Sequence, residues 1–284
     1  MPTLDADLAR WREHLTRFAA LLGAPPDRSA TPAPEARPGH CLILAPHPDD
    51  ECIVGALPLR LRQEAGWRVS NVAVTLGSNP ERRAGRRAEL QAACAVLGFD
   101  LIVPAGDGLV DVRPDTADRD PALWAAHVQT LAALLAEHRP ALVLAPHALD
   151  DNPSHRGTHQ LAVEALAASR LDTVLAETEF WSTQAAPNTL VHTNVADTAR
   201  LIAALERHTG EIARNPYHLR LPAFLADAVR RGGELLLGAG EAPPDYAFAT
   251  LYRLVAYRAG QPAAELPRRL LPADRPLTSA LLTP

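Results

Sequence analysis

The sequence contains no lysine, and all 28 of its basic residues are arginine. Without a lysine amine, the chain cannot be a pyridoxal-phosphate or Schiff-base enzyme. Walker A nucleotide sites and protein-kinase sites are excluded for the same reason, because both place a lysine on the phosphates. The formal net charge of −5 also argues against a nucleic-acid partner, since such binders normally present a basic surface.

Cysteine is scarce as well. Cys41, Cys52 and Cys94 are the three present, and no two are spaced as a CxxC pair. This sparse, odd-numbered set argues against a disulfide framework and fits a reducing compartment. The amino terminus is acidic and lacks the apolar segment of a signal peptide, and no apolar run approaches the roughly 20 residues of a membrane span. We therefore expect a cytoplasmic protein without a membrane partner; whether it forms a homo-oligomer is left open.

The apolar pattern predicts an α/β fold. Short apolar runs alternate with helical stretches, which indicates a Rossmann-like parallel sheet with helices on both faces. The predicted strands are 41–45, 69–76, 101–104, 141–145, 173–181, 189–195 and 247–256, and the predicted helices include 4–23, 81–97, 121–138, 155–170 and 197–212. The strands after residue 172 would be additions to the parallel core. We predict an N-terminal helix and proline-rich linker over 1–39, a main domain over 40–260 and an irregular tail over 261–284.

One cluster of polar residues follows the first predicted strand. His47, Asp49, Asp50 and Glu51 occur within five positions, where the strand turns into helical sequence. An imidazole and a carboxylate three residues apart can both reach one cation, and the carboxylate between them can face the open side. Asp49 and Asp50 could equally cap a helix, a common role of aspartate at helix amino termini.

A second polar cluster follows the fourth predicted strand. His155 and His159 lie four residues apart near the start of a predicted helix and so share one face, and His147 stands at the strand tip. Ligands of open α/β sheets bind beyond the carboxyl ends of the strands, where both clusters fall. Catalytic zinc sites commonly use three nitrogen and oxygen ligands and keep one position open for water. Two histidines and one carboxylate from these loops therefore predict a metal site.

Both clusters resemble motifs of one known family. The first resembles the opening motif of the PIG-L/LmbE-like deacetylases, since it reads Pro46-His47-Pro48-Asp49-Asp50-Glu51 after an apolar strand. These are metal-dependent N-deacetylases of N-acetylglucosamine-containing compounds. Their second motif, His-Pro-Asp-His before a helix, is similar to Asn152-Pro153-Ser154-His155. The resemblance extends over residues 40–257.

The resemblance implies roles for individual residues. His47, Asp50 and His155 match the family's zinc ligands, and Asp49 matches its general base. The implied reaction is hydrolysis of an N-acetyl group, in which zinc lowers the pKa of bound water toward ~7 and polarises the amide carbonyl. Asp49 would take the proton of that water and return it to the leaving amine. Fe²⁺ is the alternative to Zn²⁺, because two histidines and one carboxylate suit both metals.

Looser similarity, or position in the chain, suggests roles for further residues. Arg86 and Asp107 align with positions that contact substrate in the family. Asn152 stands where the family has the histidine that stabilises the oxyanion, and a side-chain amide can also donate to an oxyanion. Because Ser154 replaces the family's aspartate as well, His147 or His159 could supply the missing imidazole. We expect Asn152 and His159 to act in catalysis and His147 to contact substrate.

The sequence therefore predicts a zinc-dependent N-deacetylase that acts on a small amino-sugar conjugate. Two alternatives follow from the altered second motif: a metal hydrolase of another amide or ester, and a catalytically silent metal- or sugar-binding protein. Arg82, Arg83, Arg86 and Arg87 cluster on one predicted helix. They could meet an anionic part of the substrate by bidentate contacts, or they could form a solvated helix face.

Overall fold

The computed structural model describes residues 3–28 and 32–282. Its strands are β1 (His40–Ala45), β2 (Arg68–Ala73), β3 (Asp100–Ile102), β4 (Leu142–Pro146), β5 (Thr173–Thr178), β6 (Thr189–His192), β7 (Ala249–Arg258), β8 (Gln261–Glu265) and β9 (Arg269–Leu271). Its α-helices are α1 (Leu4–Leu21), α2 (Ala56–Ala65), α3 (Pro80–Leu97), α4 (Thr116–Arg119), α5 (Pro121–His138), α6 (Pro153–Ser169), α7 (Val195–Leu205), α8 (Thr209–Ile212) and α9 (Leu221–Gly232). None of these helices combines the length and the hydropathy that crossing a membrane requires.

The strands of the described part form one sheet in the order β3-β2-β1-β4-β5-β7-β6-β9, with β8 paired to β7. From β3 to β5 every neighbouring pair is parallel. β7 runs antiparallel to β5, β6 and β8, and β9 is parallel to β6. The predicted fold, a Rossmann-like parallel sheet extended by C-terminal strands, is confirmed.

Strand β1 shows why the sheet is covered on both faces. Cys41 and Ile43 lie in the apolar core on one side, whereas Leu42 and Leu44 lie in the core on the other side. All four are fully buried. A strand whose two faces are both apolar is stable only between two layers of helices, and this places β1 and its neighbour β4 at the centre of the molecule.

The N-terminal helix packs on the main body. Leu8, Trp11 and Leu15 of α1 belong to the same apolar core as the sheet. At the helix surface, Arg10 binds Glu206 at 2.8 Å and Arg207 binds Asp7 at 2.7 Å. The division of the chain at residue 39 stays a prediction.

Two expectations about the C-terminal part were wrong. The single helix expected over 197–212 is interrupted, because α7 ends at Leu205 and α8 begins at Thr209. The tail is not irregular throughout, since β8 and β9 join the sheet. The buried Arg60 orders this segment by donating hydrogen bonds to the carbonyl oxygens of Leu271, Pro272 and Arg275. Residues 283–284 lie outside the described residues.

Candidate metal centre and its pocket

The first polar cluster forms a tight loop after β1. Asp49 has φ 116°, a backbone conformation that residues with a Cβ rarely adopt. Two hydrogen bonds within the motif hold this conformation: Asp49 N–H donates to Glu51 Oε2 at 3.0 Å, and His47 N–H donates to Asp50 Oδ2 at 2.9 Å. The side chains of the motif therefore fix the backbone that carries them.

His47, Asp50 and His155 come together as a group of candidate ligands. One donor atom from each lies within 4.8 Å of the other two. Asp50 Oδ2 lies 3.4 Å from His47 Nδ1 and 3.4 Å from His155 Nε2. Two donors that share a tetrahedral cation at about 2.1 Å are about 3.4 Å apart. The donor set and its spacing therefore fit a divalent metal such as zinc.

A carboxylate behind His155 orients its ring. His155 lies near the start of α6, and its Nδ1 is 3.1 Å from Asp150 Oδ2. A ligating histidine usually donates its other ring N–H to such an acceptor, which fixes the ring orientation. Burial lowers the pKa of His155, but the carboxylates of Asp50 and Asp150 outweigh this effect and raise the pKa to about 10. Burial likewise opposes ionisation of Asp50, but His155 and His47 lower the pKa of that carboxyl overall.

Asp49 directly precedes the candidate ligand Asp50 and is almost fully buried. We refer to the three candidate ligands His47, Asp50 and His155 as the metal triad. Among the described residues, its carboxylate has no hydrogen-bond donor and no salt-bridge partner. Burial and the neighbouring charges of Asp50 and Glu51 raise the pKa of Asp49, and Arg86 opposes the rise. A carboxylate with a raised pKa and no protein partner is suited to exchange a proton with a substrate or a water molecule.

The triad and Asp49 line a cavity of about 780 Å³. Pockets of roughly 300–1,000 Å³ are typical of small-molecule sites. Trp181 and Tyr217 form one aromatic side of the cavity, with ring centroids 5.3 Å apart. The cavity therefore brings together the three candidate ligands, Asp49 and an aromatic surface.

Asn152 and Ser154 both line this cavity. Asn152 is the N-cap of α6, because its Oδ1 accepts a hydrogen bond from Ser154 N–H at 2.9 Å. The Asn152 amide nitrogen has no protein partner among the described residues. The residue thus combines an acceptor that caps α6 with an amide donor that has no protein partner among the described residues.

Three predicted site residues do not reach the cavity. His147 Nε2 is 3.0 Å from Ser182 O, and His159 Nδ1 is 2.9 Å from Pro146 O. Asp107 is exposed on the loop after β3. None of the three lines the cavity, because each imidazole is held by a carbonyl oxygen and the Asp107 loop turns toward solvent. The lining of the cavity therefore gives no support to the roles expected for His147, His159 and Asp107.

Arg86, by contrast, lines the cavity and contacts the first motif. Its Nη2 donates to Pro48 O at 3.0 Å. Arg82 and Arg83 also line the cavity, whereas Arg87 binds Gly106 O and does not. Three of the four arginines of the α3 cluster therefore line the cavity.

Two residues of the candidate site, Asp150 and Glu211, were not predicted from the sequence. Asp150, which contacts His155, lies inside the second polar cluster, so its position in the motif could have marked it. Glu211 lines the cavity from α8, in a region without a recognisable motif, and only the three-dimensional fold brings it to α3.

A known family model matches the part of the chain that carries both polar clusters. Residues 42–166 match the family model of PIG-L, described as GlcNAc-PI de-N-acetylase. That range contains the first motif, the second motif and all three candidate metal ligands. No curated protein sequence matches the chain.

Several solved structures share the fold. N,N′-diacetylchitobiose deacetylase from Pyrococcus horikoshii is 19% identical, with a TM-score of 0.57, over 78% of this chain and 84% of that chain. The A40926 pseudoaglycone deacetylase Dbv21 is 21% identical, with a TM-score of 0.57, over 81% of this chain and 100% of that chain. GalB, the 4-carboxy-2-hydroxymuconate hydratase from Pseudomonas putida KT2440, is 19% identical, with a TM-score of 0.56, over 80% and 100% of the two chains. At these identities the likeness is one of fold, and the fold serves more than one reaction.

Proposed function

We propose that the chain, whose residues 42–166 match the PIG-L family model, is a metal-dependent hydrolase that removes the acetyl group of an N-acetylglucosamine-containing small molecule. One observation carries the proposal. The triad of His47, Asp50 and His155 lines a cavity that is also lined by the unpartnered carboxylate of Asp49. A metal-ligand set beside a free carboxylate is the arrangement that hydrolysis of an amide requires.

His47, Asp50 and His155 would hold the metal, and we propose Zn²⁺ with Fe²⁺ as the alternative. Two imidazole nitrogens and one carboxylate oxygen suit either ion. When bound, such a cation polarises the acetyl carbonyl and lowers the pKa of a water molecule. Asp150 supports the site by orienting His155 through the contact at Nδ1.

Asp49 would act as the general base and then as the general acid. Its carboxylate takes a proton from the attacking water, whose oxygen forms the new bond to the acetyl carbon. The C–N bond then breaks, and the proton passes from the Asp49 carboxyl to the leaving nitrogen. The products are acetate and the free amino sugar, so that one water is consumed for each acetyl group. Asn152 would donate from its free amide nitrogen to the oxyanion of the intermediate.

The surroundings of the site support a small polar substrate. The aromatic side formed by Trp181 and Tyr217 offers a surface for a sugar ring, and the polar lining offers partners for hydroxyl groups. The three cysteines are free and buried, which fits the cytoplasmic location we propose.

The test is acetate release by metal-free protein before and after it is reloaded with Zn²⁺ or Fe²⁺. We expect activity only in the reloaded protein, on N-acetylglucosaminides such as N,N′-diacetylchitobiose and methyl N-acetylglucosaminide. Simple acetamides and acetyl esters serve as the comparison, and faster turnover of these would favour a hydrolase of another amide or ester. Stoichiometric metal without acetate release across the panel would indicate a silent binding protein, and full turnover by metal-free protein would refute metal dependence.

A further inference from the structure

One wall of the cavity carries an excess of positive charge. Helix α3 contributes Arg82, Arg83 and Arg86, and the segment around α8 contributes Glu211 and Arg214. This arginine wall, defined by these five residues, holds four guanidinium groups and one carboxylate. It adjoins the metal centre, because Arg86 also binds the Pro48 carbonyl oxygen between two residues of the first motif.

The single carboxylate of the wall is shared by three arginines. Arg82 Nη2 lies 2.6 Å from Glu211 Oε1, Arg86 Nε lies 3.4 Å from the same oxygen, and Arg214 pairs with Glu211 Oε2. Burial opposes ionisation of Glu211, but Arg86, Arg214 and Arg82 outweigh it and lower the pKa of the carboxyl. Glu211 is therefore ionised and cancels one of the four positive charges.

Arg83 has no carboxylate partner within the described part of the chain. Its only hydrogen bond there is from Nε to Gly77 O at 3.1 Å. Glu89, one of the other acids of α3, binds Thr209 Oγ1 and Gly210 N–H instead of an arginine. The two terminal nitrogens of Arg83 are thus free to donate to a ligand in the cavity.

Of the other acids that line the cavity, Asp49 is close enough to Arg86 for the charge of that arginine to act against the raised pKa of its carboxyl, but it forms no ion pair with the wall. Asp50 and Asp150 contact His155, and Asp111 pairs with Arg119 at 2.7 Å. Asp151 accepts a hydrogen bond from Ser182 Oγ. Arg113, which also lines the cavity, pairs with Asp115 at 3.5 Å.

We propose that the arginine wall binds an anionic group, phosphate or carboxylate, carried by the substrate. The inference rests on the proposed deacetylase function and narrows its substrate to negatively charged amino-sugar conjugates. Two geometric features favour it: a guanidinium fork matches the oxygen pairs of phosphate and carboxylate, and the amino terminus of α3 lies in the same wall at Gly77, Ser78 and Asn79. Helix amino termini attract anions through their free N–H groups.

The first test compares substrates that differ in charge. The metal-loaded enzyme is assayed with methyl N-acetylglucosaminide, its carboxymethyl counterpart and N-acetylglucosamine 1-phosphate. We expect kcat/KM to be at least about tenfold higher for an anionic substrate than for the neutral one, because charge-assisted hydrogen bonds are the stronger ones. The carboxymethyl and phosphate arms show which anion the wall prefers.

Variants then assign the preference to the wall. Arg83→Gln should reduce the ratio of anionic to neutral kcat/KM by about tenfold, and Arg83→Lys should restore part of it. Arg87→Gln is the matched control, since Arg87 lies on the same helix but binds Gly106 O outside the cavity. This control should leave the ratio as it is.

A second readout separates this proposal from the proposed function. Calorimetry with inorganic phosphate should show weaker binding to the metal-loaded Arg83→Gln variant than to the unaltered protein or to Arg87→Gln. Weaker phosphate binding without deacetylation of any glycoside would leave the anion site standing and reject the deacetylase. Deacetylation with the same kcat/KM for anionic and neutral substrates would overturn the anion site and leave the deacetylase standing, provided that the unaltered protein, Arg83→Gln and Arg87→Gln also bind phosphate equally.

Discussion

His208 Nε2 lies 2.6 Å from Glu51 Oε1, and neither side chain is exposed to solvent. Glu51 also accepts the Asp49 N–H on Oε2 and the Cys52 thiol on Oε1. His208 directly precedes α8, which carries Glu211. The pair therefore connects the loop of the metal triad to the arginine wall through the interior of the protein.

Removal of His208 should destabilise the protein. His208→Ala leaves a buried carboxylate short of one donor, which costs about 3 kcal/mol of the free energy of unfolding. His208→Gln retains an N–H donor and should lose less. Urea unfolding monitored by circular dichroism measures both effects.

The exposed pair of Arg68 and Asp100 is the matched control for His208. Arg68 Nε lies 2.7 Å from Asp100 Oδ2, and both side chains are more than half exposed. Arg68→Ala should therefore lower the free energy of unfolding by about 0–1 kcal/mol. Equal losses of unfolding free energy in His208→Ala and Arg68→Ala would show that the buried pair stabilises the protein no more than the exposed pair does.

Asp49→Asn should abolish most of the acetate release while the metal stays bound. The substitution preserves size but removes the proton acceptor, and general bases typically contribute about 10²–10⁴-fold to rate. The measurement pairs kcat with metal content determined on the same sample. Loss of metal together with activity would instead place Asp49 among the ligands.

The local pattern of the sequence indicated a metal site at this edge of the sheet, and the family resemblance implied His47, Asp50 and His155 as its ligands, whose donor atoms lie within 4.8 Å of one another. Both polar clusters follow buried strands, and parallel strands bring their carboxyl ends to one edge of the sheet. The spacing of His159 did not predict its surroundings correctly. His159 lies four residues after His155 and so shares its helix face, but its ring contacts the carbonyl oxygen of Pro146 and does not line the cavity. Helical periodicity gives the direction of a side chain and not its hydrogen-bond partner.

Long-range pairings could not be predicted from the sequence. Glu51 and His208 are 157 residues apart, and Glu211 meets Arg82 across a similar gap of 129 residues. No local pattern marks such contacts, because they depend on how α7 and α8 pack over α3. Glu211 lies on α8, the short helix that follows the interruption after α7.

Asp150→Asn should weaken metal binding by about 10- to 100-fold, the range found when the partner of a ligating histidine is altered. Asp150 contacts His155 at Nδ1, and its charge favours the ring orientation that presents Nε2 to the triad. Competition with a chromophoric chelator measures the affinity. Asp151→Asn is the neighbouring control, since Asp151 only accepts from Ser182 Oγ; an equal effect in both variants would exclude orientation of His155 as the cause.

The stability of the protein should fall as pH rises from about 4 to about 6 through Asp197. Burial raises the pKa of Asp197 from its ordinary value near 3.8 to about 6, and the attraction of Arg60 offsets this only in part. Between these values the folded protein keeps a proton that the unfolded chain has released, so unfolding becomes easier as pH rises. Above about pH 6 the loss is complete and constant.

Asp197→Asn removes this proton linkage. We expect a flatter dependence of the free energy of unfolding on pH, and a gain of up to about 3 kcal/mol at pH 7 from a shift of about two units. Urea titrations between about pH 4 and pH 7 measure the slope. Asp5→Asn, at an exposed position of α1, should leave the slope unchanged; a steeper slope in Asp197→Asn would contradict the assignment.

Asn152 allows its two roles to be separated by substitution. Asn152→Asp keeps the oxygen that accepts Ser154 N–H and so keeps the helix cap, but it removes the amide donor proposed for the oxyanion. We expect kcat to fall about 10²-fold, as for the loss of an oxyanion donor, with the melting temperature preserved. Asn152→Ala removes both functions and should lose about 1 kcal/mol of stability as well.

Asn152→His supplies the control for the oxyanion role. A histidine at this position can donate from its ring and should retain more activity than Asn152→Asp, although it caps the helix poorly. Metal content measured on each variant separates loss of the donor from an effect of the added negative charge on the metal triad. If Asn152→Asp keeps its metal and turns over at the original rate, the oxyanion must be stabilised by the metal and another donor, and Asn152 serves the helix alone.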